Sequence, residues 1–571
     1  MLRSGIVPSL SWPRWYTSLL NAQNHQRERA SVKAWAGAAL VAAVLVTVLT
    51  FPTVPRMGSV LRIDNNDGKF SVWNIAWVAR ALVTNPTGVL NANIFYPHTG
   101  TLAYSELNLV AGAMAVPAYV ATRNPIAATN FAIAAALWLS FMCMWALVRR
   151  LTNSWSAGLL SATAYTFCPY LLSHTSHIQL LMAFVIPLNF LALHRLIERP
   201  STARGLQLGG AVALGGLACG YYGIYGGIAM GVAALWFGVR DRVYWRSLVL
   251  AVVTAAVIVG PVLYKFREAR ADVGGGPKIS DADLRNWSSK PIDYTVSGAR
   301  AHEPFQPVFP GRDPLFPGVI ALGFALVAVG AALRGRSLSA SSYVIAGYGV
   351  IVVVAVLASF GPDAWVYSAL RRLVPGMDLL RAPSRFGLVA AFGVAVLAGI
   401  GTSLIRRRVW IVLVLTLVAA AETGAQTEKW GWPSWGLTEM PSVPRAYRVL
   451  ATLPRGPVVE YPFPYKSTDL HNHGWAMLMS TYHWQPLVNG YSDVIPSDMY
   501  DIMLPINGFP DVESFAIMRN RQVRYVVWDI RTYDAASRDV LEHRFPPFAQ
   551  YLKPLVKDDD VWLYEITGYP Q

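Results

Sequence analysis

The sequence predicts an α-helical polytopic membrane protein of about eleven transmembrane helices, followed by a small α/β domain. Three observations predict this class. Of the 571 residues, 54% are hydrophobic and only 14% are charged, with a mean hydropathy of +0.36. The apolar residues form long uncharged runs, each close to the roughly 20 residues that a helix needs to cross a bilayer. Residues 427–571 instead alternate short apolar and polar stretches, as a soluble domain does.

The basic residues indicate how the chain lies in the membrane. The net charge of +15 is compatible with nucleic-acid binding. Many Lys and Arg residues, however, stand in short loops between apolar runs, where they mark the cytoplasmic side. We therefore expect a lipid bilayer as a partner and no nucleic acid. Cys143, Cys168 and Cys219 lie in or at the end of apolar runs and predict neither a disulfide nor a metal site.

Eleven spans place every short basic loop inside, with segment 1–33 in the cytoplasm. The run 205–239 is too long for one helix, and the Gly and Tyr residues at 220–223 predict a break within it. The predicted spans are 34–55, 125–148, 155–173, 178–194, two within 205–239, 247–264, 314–333, 338–361, 386–405 and 409–425.

The spans divide the chain into three parts. The cytoplasmic segment 1–33 is followed by a transmembrane domain, 34–426, and an extracytoplasmic α/β domain, 427–571. Two long loops lie outside, the first outer loop at 56–124 and a second at 265–313. Within the α/β domain, the patterns predict strands at 456–464, 524–530 and 561–567, and helices at 445–453 and 511–521.

The first outer loop predicts interfacial helices. Residues 70–83 carry Phe70, Trp73, Trp77 and Ala81 at helical spacing, which favours a helix with its aromatic face toward the lipid boundary. The apolar stretch 107–122 is short for a span, so we expect it to form a re-entrant or interfacial helix.

Several stretches resemble bacterial membrane proteins of the GT-C glycosyltransferase superfamily. They are NDGKFSVWNIAWVARAL, ANIFYPHTGTLAYSE, RRLTNSWSAGLLSATAYTFCPYLLSHTSHIQLL, LLRAPSRFGLVAAFGVAVLAGIG and HWQPLVNGYS. The resemblance implies an enzyme of the bacterial cytoplasmic (inner) membrane whose active site and C-terminal domain lie outside the cytoplasm. It implies transfer of a hexose or pentose from a polyprenyl-phosphate-linked donor to a glycan, lipid or protein acceptor.

Asp67 is the candidate catalytic base. In the superfamily an acidic residue at the start of the first outer loop accepts the acceptor's proton, and Asp67 is the matching position. The usual residues around that acid are Gly-Asp-Pro, whereas this chain has Asn66-Asp67-Gly68. The alternative is that Asp67 is the N-cap of the helix that follows.

Glu106 is the second candidate catalytic residue. The superfamily often places an acid near this point for contact with an acceptor or a metal. Glu106 also precedes an apolar helix, where a negative charge favours the helix N-terminus. A divalent cation, Mg²⁺ or Mn²⁺, stays open as a cofactor, although no strong cluster of metal ligands stands out in the sequence.

Arg381 and Arg385 are the candidate ligands of the donor phosphate. They lie in RAPSRF at the outer end of a predicted span, where the positive-inside rule does not favour basic residues. A guanidinium can bind a lipid phosphate through two parallel hydrogen bonds and stabilise the leaving group. The alternative is that both side chains extend toward lipid headgroups.

Further polar and aromatic residues are candidates for substrate binding, with ordinary loop, interface or core positions as alternatives. Asp64 is a loop acid, and His174 and His177 share the short loop between the third and fourth spans. Their spacing permits a metal pair, but no carboxylate is close in sequence. The candidates are Asp64, His98, Tyr104, His174, His177, His483, Trp484 and Asn489.

Two alternative functions stay open. A transporter or flippase of lipid-linked saccharide would need ionisable groups within the spans, which here contain almost none. A non-catalytic protein of cell-envelope assembly could have the same fold, because a fold does not establish an activity.

Overall fold

A computed structural model describes residues 32–275, 279–308, 311–336, 338, 340–424, 437–557 and 561–570. The predicted cytoplasmic segment lies outside the described residues except for its last two. The helices of the apolar part are α1 (Val32–Leu49), α2 (Asn66–Thr84), α3 (Leu109–Thr122), α4 (Pro125–Thr152), α5 (Trp155–Thr166), α6 (Pro169–Ser173), α7 (Ile178–Leu181), α8 (Val185–Glu198), α9 (Thr202–Ala218), α10 (Gly227–Trp236), α11 (Arg242–Ala271), α12 (Asp281–Asn286), α13 (Val319–Leu333), α14 (Ser342–Ser359), α15 (Trp365–Leu373), α16 (Phe386–Thr402) and α17 (Val409–Gly424).

Among the described residues, six helical stretches are long and apolar enough to cross a membrane, and each coincides with a predicted span. They are Val32–Leu49, Pro125–Thr152, Ile178–Glu198, Arg242–Ala271, Ser342–Ser359 and Pro383–Ile405. The shorter apolar helices include α3, whose 14 residues extend about 21 Å. This length is less than the ~30 Å thickness of the hydrocarbon core, which is consistent with a re-entrant or interfacial helix. The count of eleven crossings and their orientation stay predictions.

Two long apolar runs are interrupted in the structure. Helix α5 ends at Thr166, and after a two-residue turn α6 begins at Pro169. Helix α9 ends at Ala218, where Cys219 is extended, and the chain resumes with a π-helical turn, Tyr222–Gly226. The second interruption lies beside the break predicted at 220–223.

Helix α2 follows the predicted period, but its environment differs from the prediction. Trp73 and Trp77 are buried, and their indole N–H groups donate to Asn93 Oδ1 at 3.0 Å and to the Val89 carbonyl at 2.8 Å. The helix packs against α3 and against a C-terminal helix, His473–Ser480. The prediction of a lipid-facing aromatic face is therefore wrong, because protein covers that face and satisfies its polar atoms.

The C-terminal part contains a four-stranded sheet with helices around it. Its helices are α18 (Arg445–Leu450), α19 (His473–Ser480), α20 (Ser497–Asn507), α21 (Val512–Asn520) and α22 (Ala535–Arg544). The strands of the chain are β1 (Val60–Leu61), β2 (Thr438–Glu439), β3 (Val458–Tyr461), β4 (Tyr525–Asp529), β5 (Leu552–Val556) and β6 (Val561–Ile566). The sheet order is β3-β4-β6-β5, with β3 parallel to β4 and the other pairs antiparallel.

The predicted secondary structure of this part is confirmed for three strands and two helices. Strands β3, β4 and β6 and helices α18 and α21 lie within the predicted ranges. Strand β5 was not among the predicted strands, and it contains Pro554, a residue that is unusual in a central strand. Here β5 is the edge of the sheet, where a missing N–H is tolerated. The predicted domain boundary at 427 lies outside the described residues.

The C-terminal part is attached to the first outer loop through strand pairing, an ion pair and backbone hydrogen bonds. Strand β1 pairs antiparallel with β2, and Arg56 contacts Glu439 at 2.5 Å. Further along, the Leu487 N–H donates to the Asn93 carbonyl at 2.8 Å, and the Tyr96 N–H donates to the Leu487 carbonyl at 2.9 Å. These bonds place the loop after Leu487 over the N-terminal half of α2.

Candidate active site

Asp67 lies in the first turn of α2 with its carboxylate exposed. The N-cap is Asn65, which is extended and whose side chain accepts a hydrogen bond from the Gly68 N–H at 2.7 Å. The alternative that Asp67 caps the helix is therefore wrong. Its carboxylate is not used by the helix terminus and is 55% exposed.

The glycine after Asp67 has a local structural reason. A Cβ at Gly68 would lie 2.0 Å from the Arg62 carbonyl oxygen, so only glycine allows this backbone to approach the first turn. Arg62 is itself buried, and it donates to Thr175 Oγ1 at 2.9 Å and lies 3.5 Å from Asp64 Oδ1. The Asn-Asp-Gly sequence thus fits a packed turn. Asp64 contributes an ion pair to that packing.

His177 lies beside Asp67, with 3.6 Å between its Nε2 and Asp67 Oδ2. Burial, followed by Arg385 and His174, lowers the pKa of His177 to about 3, so the ring is neutral at pH 7. The pKa of His174 is also lowered, again mainly by burial. His174 Nδ1 lies 2.7 Å from the Tyr170 carbonyl, and its ring packs on the Tyr170 ring at 4.4 Å. The structure therefore brings His177 to the candidate base and places the His174 ring 6.1 Å from the His177 ring.

Arg381 and Arg385 lie on the segment that leads into α16 and act electrostatically on the same site. The Arg385 guanidinium lies 4.0 Å from the centre of the Tyr221 ring, and that of Arg381 lies 5.6 Å from the Trp287 ring. Neither arginine forms an ion pair among the described residues. Both lower the pKa of Asp67, Arg381 more strongly. Their hydrogen-bond donors remain available to an anion.

The pKa of Asp67 is raised despite those two cations. Crowding by protein around the carboxylate is the main cause, although more than half of its surface is exposed, and Arg381 is the largest opposing influence. Asp493 raises it further. A raised pKa makes a carboxylate a better proton acceptor, which is a property of a general base.

Glu106 lies next to the same arginine. Its backbone carbonyl accepts a hydrogen bond from the buried Asn74 amide at 2.9 Å, and its carboxylate accepts one from the Gly220 N–H. Burial raises the pKa of Glu106, and Arg385 is the main opposing influence. One guanidinium thus links both predicted catalytic acids electrostatically.

Asp493 is a site residue that the sequence did not reveal. It is exposed, it accepts a hydrogen bond from Ser105 Oγ at 2.8 Å, and it raises the pKa of both Asp67 and Glu106. It directly follows the stretch HWQPLVNGYS, residues 483–492, which carries part of the resemblance and ends in amide and aromatic side chains. An acid at the end of such a segment was the signal that could have identified it.

The remaining predicted residues lie elsewhere. His98 Nε2 is 2.8 Å from Asp498 Oδ1, and the Tyr104 side chain is buried with its hydroxyl donating to the Thr99 carbonyl. His483 and Asn489 are buried in the C-terminal core. Trp484 packs at 5.7 Å from Trp77, toward the far end of α2. None of these five has a described contact with Asp67, so their roles in substrate binding stay predictions.

Within the described part of the chain, no group of three His, Cys, Asp or Glu residues is placed to hold a metal ion. Arg381 and Arg385 bring two positive charges to the acids instead. A divalent cation, Mg²⁺ or Mn²⁺, stays open as a cofactor, and the reaction proposed below uses none.

Comparison with solved structures supports the predicted fold. The chain aligns with the cryo-EM structure of arabinofuranosyltransferase AftD from mycobacteria at a TM-score of 0.58 and 14% identity. The alignment covers 95% of this chain and 40% of AftD, so the chain spans less than half the length of AftD. The chain therefore shares its fold with AftD, and at this identity the likeness shows the fold alone.

Two crystal structures of ArnT from Cupriavidus metallidurans are more distant. One is in the apo state and one is bound to undecaprenyl phosphate; each has a TM-score of 0.40 and 15% identity. They cover 94% and 95% of this chain and 99% and 100% of ArnT. This TM-score is too low to support a structural argument. No protein-family model and no curated protein matches the sequence.

Proposed function

We propose that this GT-C-type protein is a glycosyltransferase that moves a sugar from a polyprenyl-phosphate-linked donor to an acceptor outside the cytoplasm. The observation that carries the proposal is an exposed carboxylate, Asp67, with two guanidinium groups nearby that form no ion pair among the described residues. Proton acceptance and phosphate departure need these two kinds of group in one place.

Asp67 is the general base of the proposed reaction. As the acceptor hydroxyl attacks the anomeric carbon, its proton passes to the Asp67 carboxylate and a new carbon–oxygen bond forms with inversion. The bond between the anomeric carbon and the phosphate oxygen breaks, and its electron pair leaves with the polyprenyl phosphate. The neutral His177 ring, 3.6 Å from Asp67, positions the carboxylate without competing for the proton at pH 7.

Arg381 and Arg385 stabilise the leaving group. A polyprenyl-phosphate sugar has one negative charge on its phosphate, and the free polyprenyl phosphate has a second one after the bond breaks. Guanidinium groups that form bidentate bonds to phosphate therefore gain interaction energy as the reaction proceeds, which lowers the barrier. The stacking of Arg385 on Tyr221 orients its planar group while leaving its edge available.

Glu106 and Asp493 orient the acceptor in this proposal. Both acids are electrostatically coupled to Asp67 or to its arginines, and they come from the two parts of the chain that meet over α2. Carboxylates are suitable acceptors for sugar hydroxyl groups. The arabinofuranosyl group in the name of AftD is a pentose, so pentosyl donors are the first to test.

The decisive experiment measures release of free polyprenyl phosphate from radiolabelled donors, pentosyl and hexosyl, by full-length protein in nanodiscs with a cell-envelope extract as acceptor. We expect Asp67→Asn to lower the rate by about 10²–10⁴-fold, the usual contribution of a general base. Asp501→Asn is the matched control, since Asp501 is exposed on α20 and is not among the groups that shift the pKa of Asp67.

Two results would reject the proposal. One is an unchanged rate in Asp67→Asn with a donor that the wild-type protein uses. The other is movement of the labelled donor between leaflets of a proteoliposome without release of the carrier, which would support a flippase instead.

A further inference from the structure

A cavity lies at the opposite end of α2 from Asp67. Asp67 is in the first turn of the helix and Arg80 in its last turns, about 20 Å away at 1.5 Å per residue. The cavity has a volume of about 360 Å³, and its walls include Trp77, Arg80 and Arg455. This volume is at the lower end of the range of small-molecule sites, and the proposed transfer reaction leaves the cavity unused.

The polar groups of the cavity are mainly hydrogen-bond donors. Asn85 and Asn91 also line it, and their side-chain oxygens already accept bonds from the backbone N–H groups of Gly88 and Gly100. Each amide can therefore present its NH₂ group to a ligand. The Trp77 indole N–H is used by the Val89 carbonyl, which leaves the ring face as its contribution.

The charge of the cavity is positive. The Arg80 guanidinium stacks near Trp484 and Trp77, at 5.2 and 6.0 Å from the ring centres, and this stacking leaves the edge of its planar group available. None of the described residues that line the cavity is acidic, and Arg80 and Arg455 form no ion pair among the described residues.

A third arginine adds to this charge. Burial is the main cause of a lowered pKa at Arg80, and Arg455 and Arg123 lower it further against an opposing effect of Tyr119. Arg455 and Arg123 are thus each close enough to Arg80 for their charges to repel its guanidinium. The partial charge at a helix C-terminus, about −0.5, is too small to offset them.

We propose that this cavity is a second anion site, in which Arg80 and Arg455 bind a phosphate group while Asn85 and Asn91 donate to its oxygens. Trp77 packs against the sugar or glycerol that carries the phosphate. Two sources have this chemistry: the headgroup of an anionic membrane lipid and a phosphate on a soluble glycan.

The test uses full-length protein in nanodiscs and two probes. In phosphatidylcholine nanodiscs, equilibrium dialysis measures binding of ³²P-orthophosphate. In nanodiscs that also contain phosphatidylglycerol, native mass spectrometry counts the phosphatidylglycerol molecules retained. The variants are Arg455→Gln, which changes an exposed side chain, and Arg80→Gln; Arg519→Gln, exposed on α21, is the control of equal charge change.

We expect both cavity variants to weaken one component of orthophosphate binding at least about tenfold, or to lose one retained phosphatidylglycerol, while the control keeps both. Loss of a retained phosphatidylglycerol identifies the ligand as a lipid headgroup. Loss of orthophosphate binding alone identifies it as a soluble phosphate. The Arg381 and Arg385 site remains intact in all three variants and does not confuse the comparison. The proposal is overturned if both cavity variants match the wild type in both assays.

Discussion

The cluster around Asp67 and the core of the C-terminal sheet contain similar side chains in different settings. Asp67 is 55% exposed, 3.6 Å from His177, and near two arginines without ion pairs among the described residues. In the core, Glu460 on β3 is only 3% exposed and accepts a hydrogen bond from the Tyr447 hydroxyl at 2.8 Å. The Asn489 side chain bonds both the N–H and the carbonyl of Glu460, at 2.8 Å each.

Both regions shift pKa values strongly, so a shift by itself does not identify a reaction site. Burial lowers the pKa of His177 and of His483 to about 3, and it raises the pKa of Glu460 to about 8. The two regions differ in whether solvent reaches the carboxylate and in whether the nearby charges have partners. Asp67 is reachable from solvent and has cations nearby that lack acidic partners, whereas Glu460 is enclosed and bonded to neighbours.

The largest effect that would separate the two regions is expected from Arg385→Gln. Removing a guanidinium from a charge-assisted phosphate contact costs about 2–5 kcal/mol, or roughly 30- to 4,000-fold in affinity. The measurement is the Kd of polyprenyl phosphate for the full-length protein in nanodiscs. Arg448→Gln, exposed on α18, is the control and should bind as the wild type does. Equal Kd values for the wild type and Arg385→Gln would remove the leaving-group role from this arginine.

The second prediction concerns the pH dependence of stability and tests the role of Glu460 in the core. Its pKa is about 8 in the fold, against 4.5 ordinarily, so the folded state keeps a proton that the unfolded state loses between these values. Stability should therefore fall as pH rises from about 4.5 to 8, by about 4 kcal/mol in total. Glu460→Gln stays neutral and keeps an acceptor for Tyr447, so its stability should stay level over this window.

The measurement is the free energy of unfolding by denaturant at pH 5 and pH 8. Wild type and Glu460→Gln should be similar at pH 5, and the variant should be more stable at pH 8. Glu513→Gln, an exposed change on α21, should keep the wild-type slope. Parallel slopes for wild type and Glu460→Gln would mean that Glu460 ionises freely and that the core is open to water.

The third prediction is that Asn489→Ala lowers the stability of the fold and leaves donor turnover unchanged. The change leaves the N–H and the carbonyl of Glu460 without their side-chain partners, which costs about 2–3 kcal/mol. The free energy of unfolding should fall by that amount, and donor turnover per folded molecule should remain that of the wild type. A stable variant with lost turnover would instead support the predicted role of Asn489 in substrate binding.

The sequence predicted the parts of this fold that depend on local pattern. Long uncharged runs predicted the six long apolar helices, and alternating apolar residues predicted β3, β4 and β6. The period of α2 was also correct. The predicted environment of α2 was wrong, because periodicity defines the apolar face of a helix and does not identify what packs against it. Trp73 and Trp77 are suited equally to lipid and to a protein core.

The sequence predicted the candidate-site residues that lie in the outer loops and just before α16, and it missed Asp493. Asp67, Glu106, His174 and His177 all come from the first half of the chain and its outer loops. Asp493 reaches them only because β1 pairs with β2 and the backbone at 93–96 bonds to residues 487–489. Such long-range pairing has no signature in a single sequence.

The smallest expected change in stability and turnover comes from His98→Gln. This variant tests how far the candidate site around Asp67 extends. His98 and Asp498 are 26% and 45% exposed, and surface pairs of this kind contribute about 0.2–1 kcal/mol. Asp498 keeps Arg521 as a partner at 2.5 Å, so no buried charge is left alone. We expect the free energy of unfolding to fall by less than about 1 kcal/mol and donor turnover to stay at the wild-type rate. A loss of turnover at unchanged stability would instead show that the site extends along the first outer loop to His98. The acceptor would then lie between Asp67 and the Asp498 side of the C-terminal part.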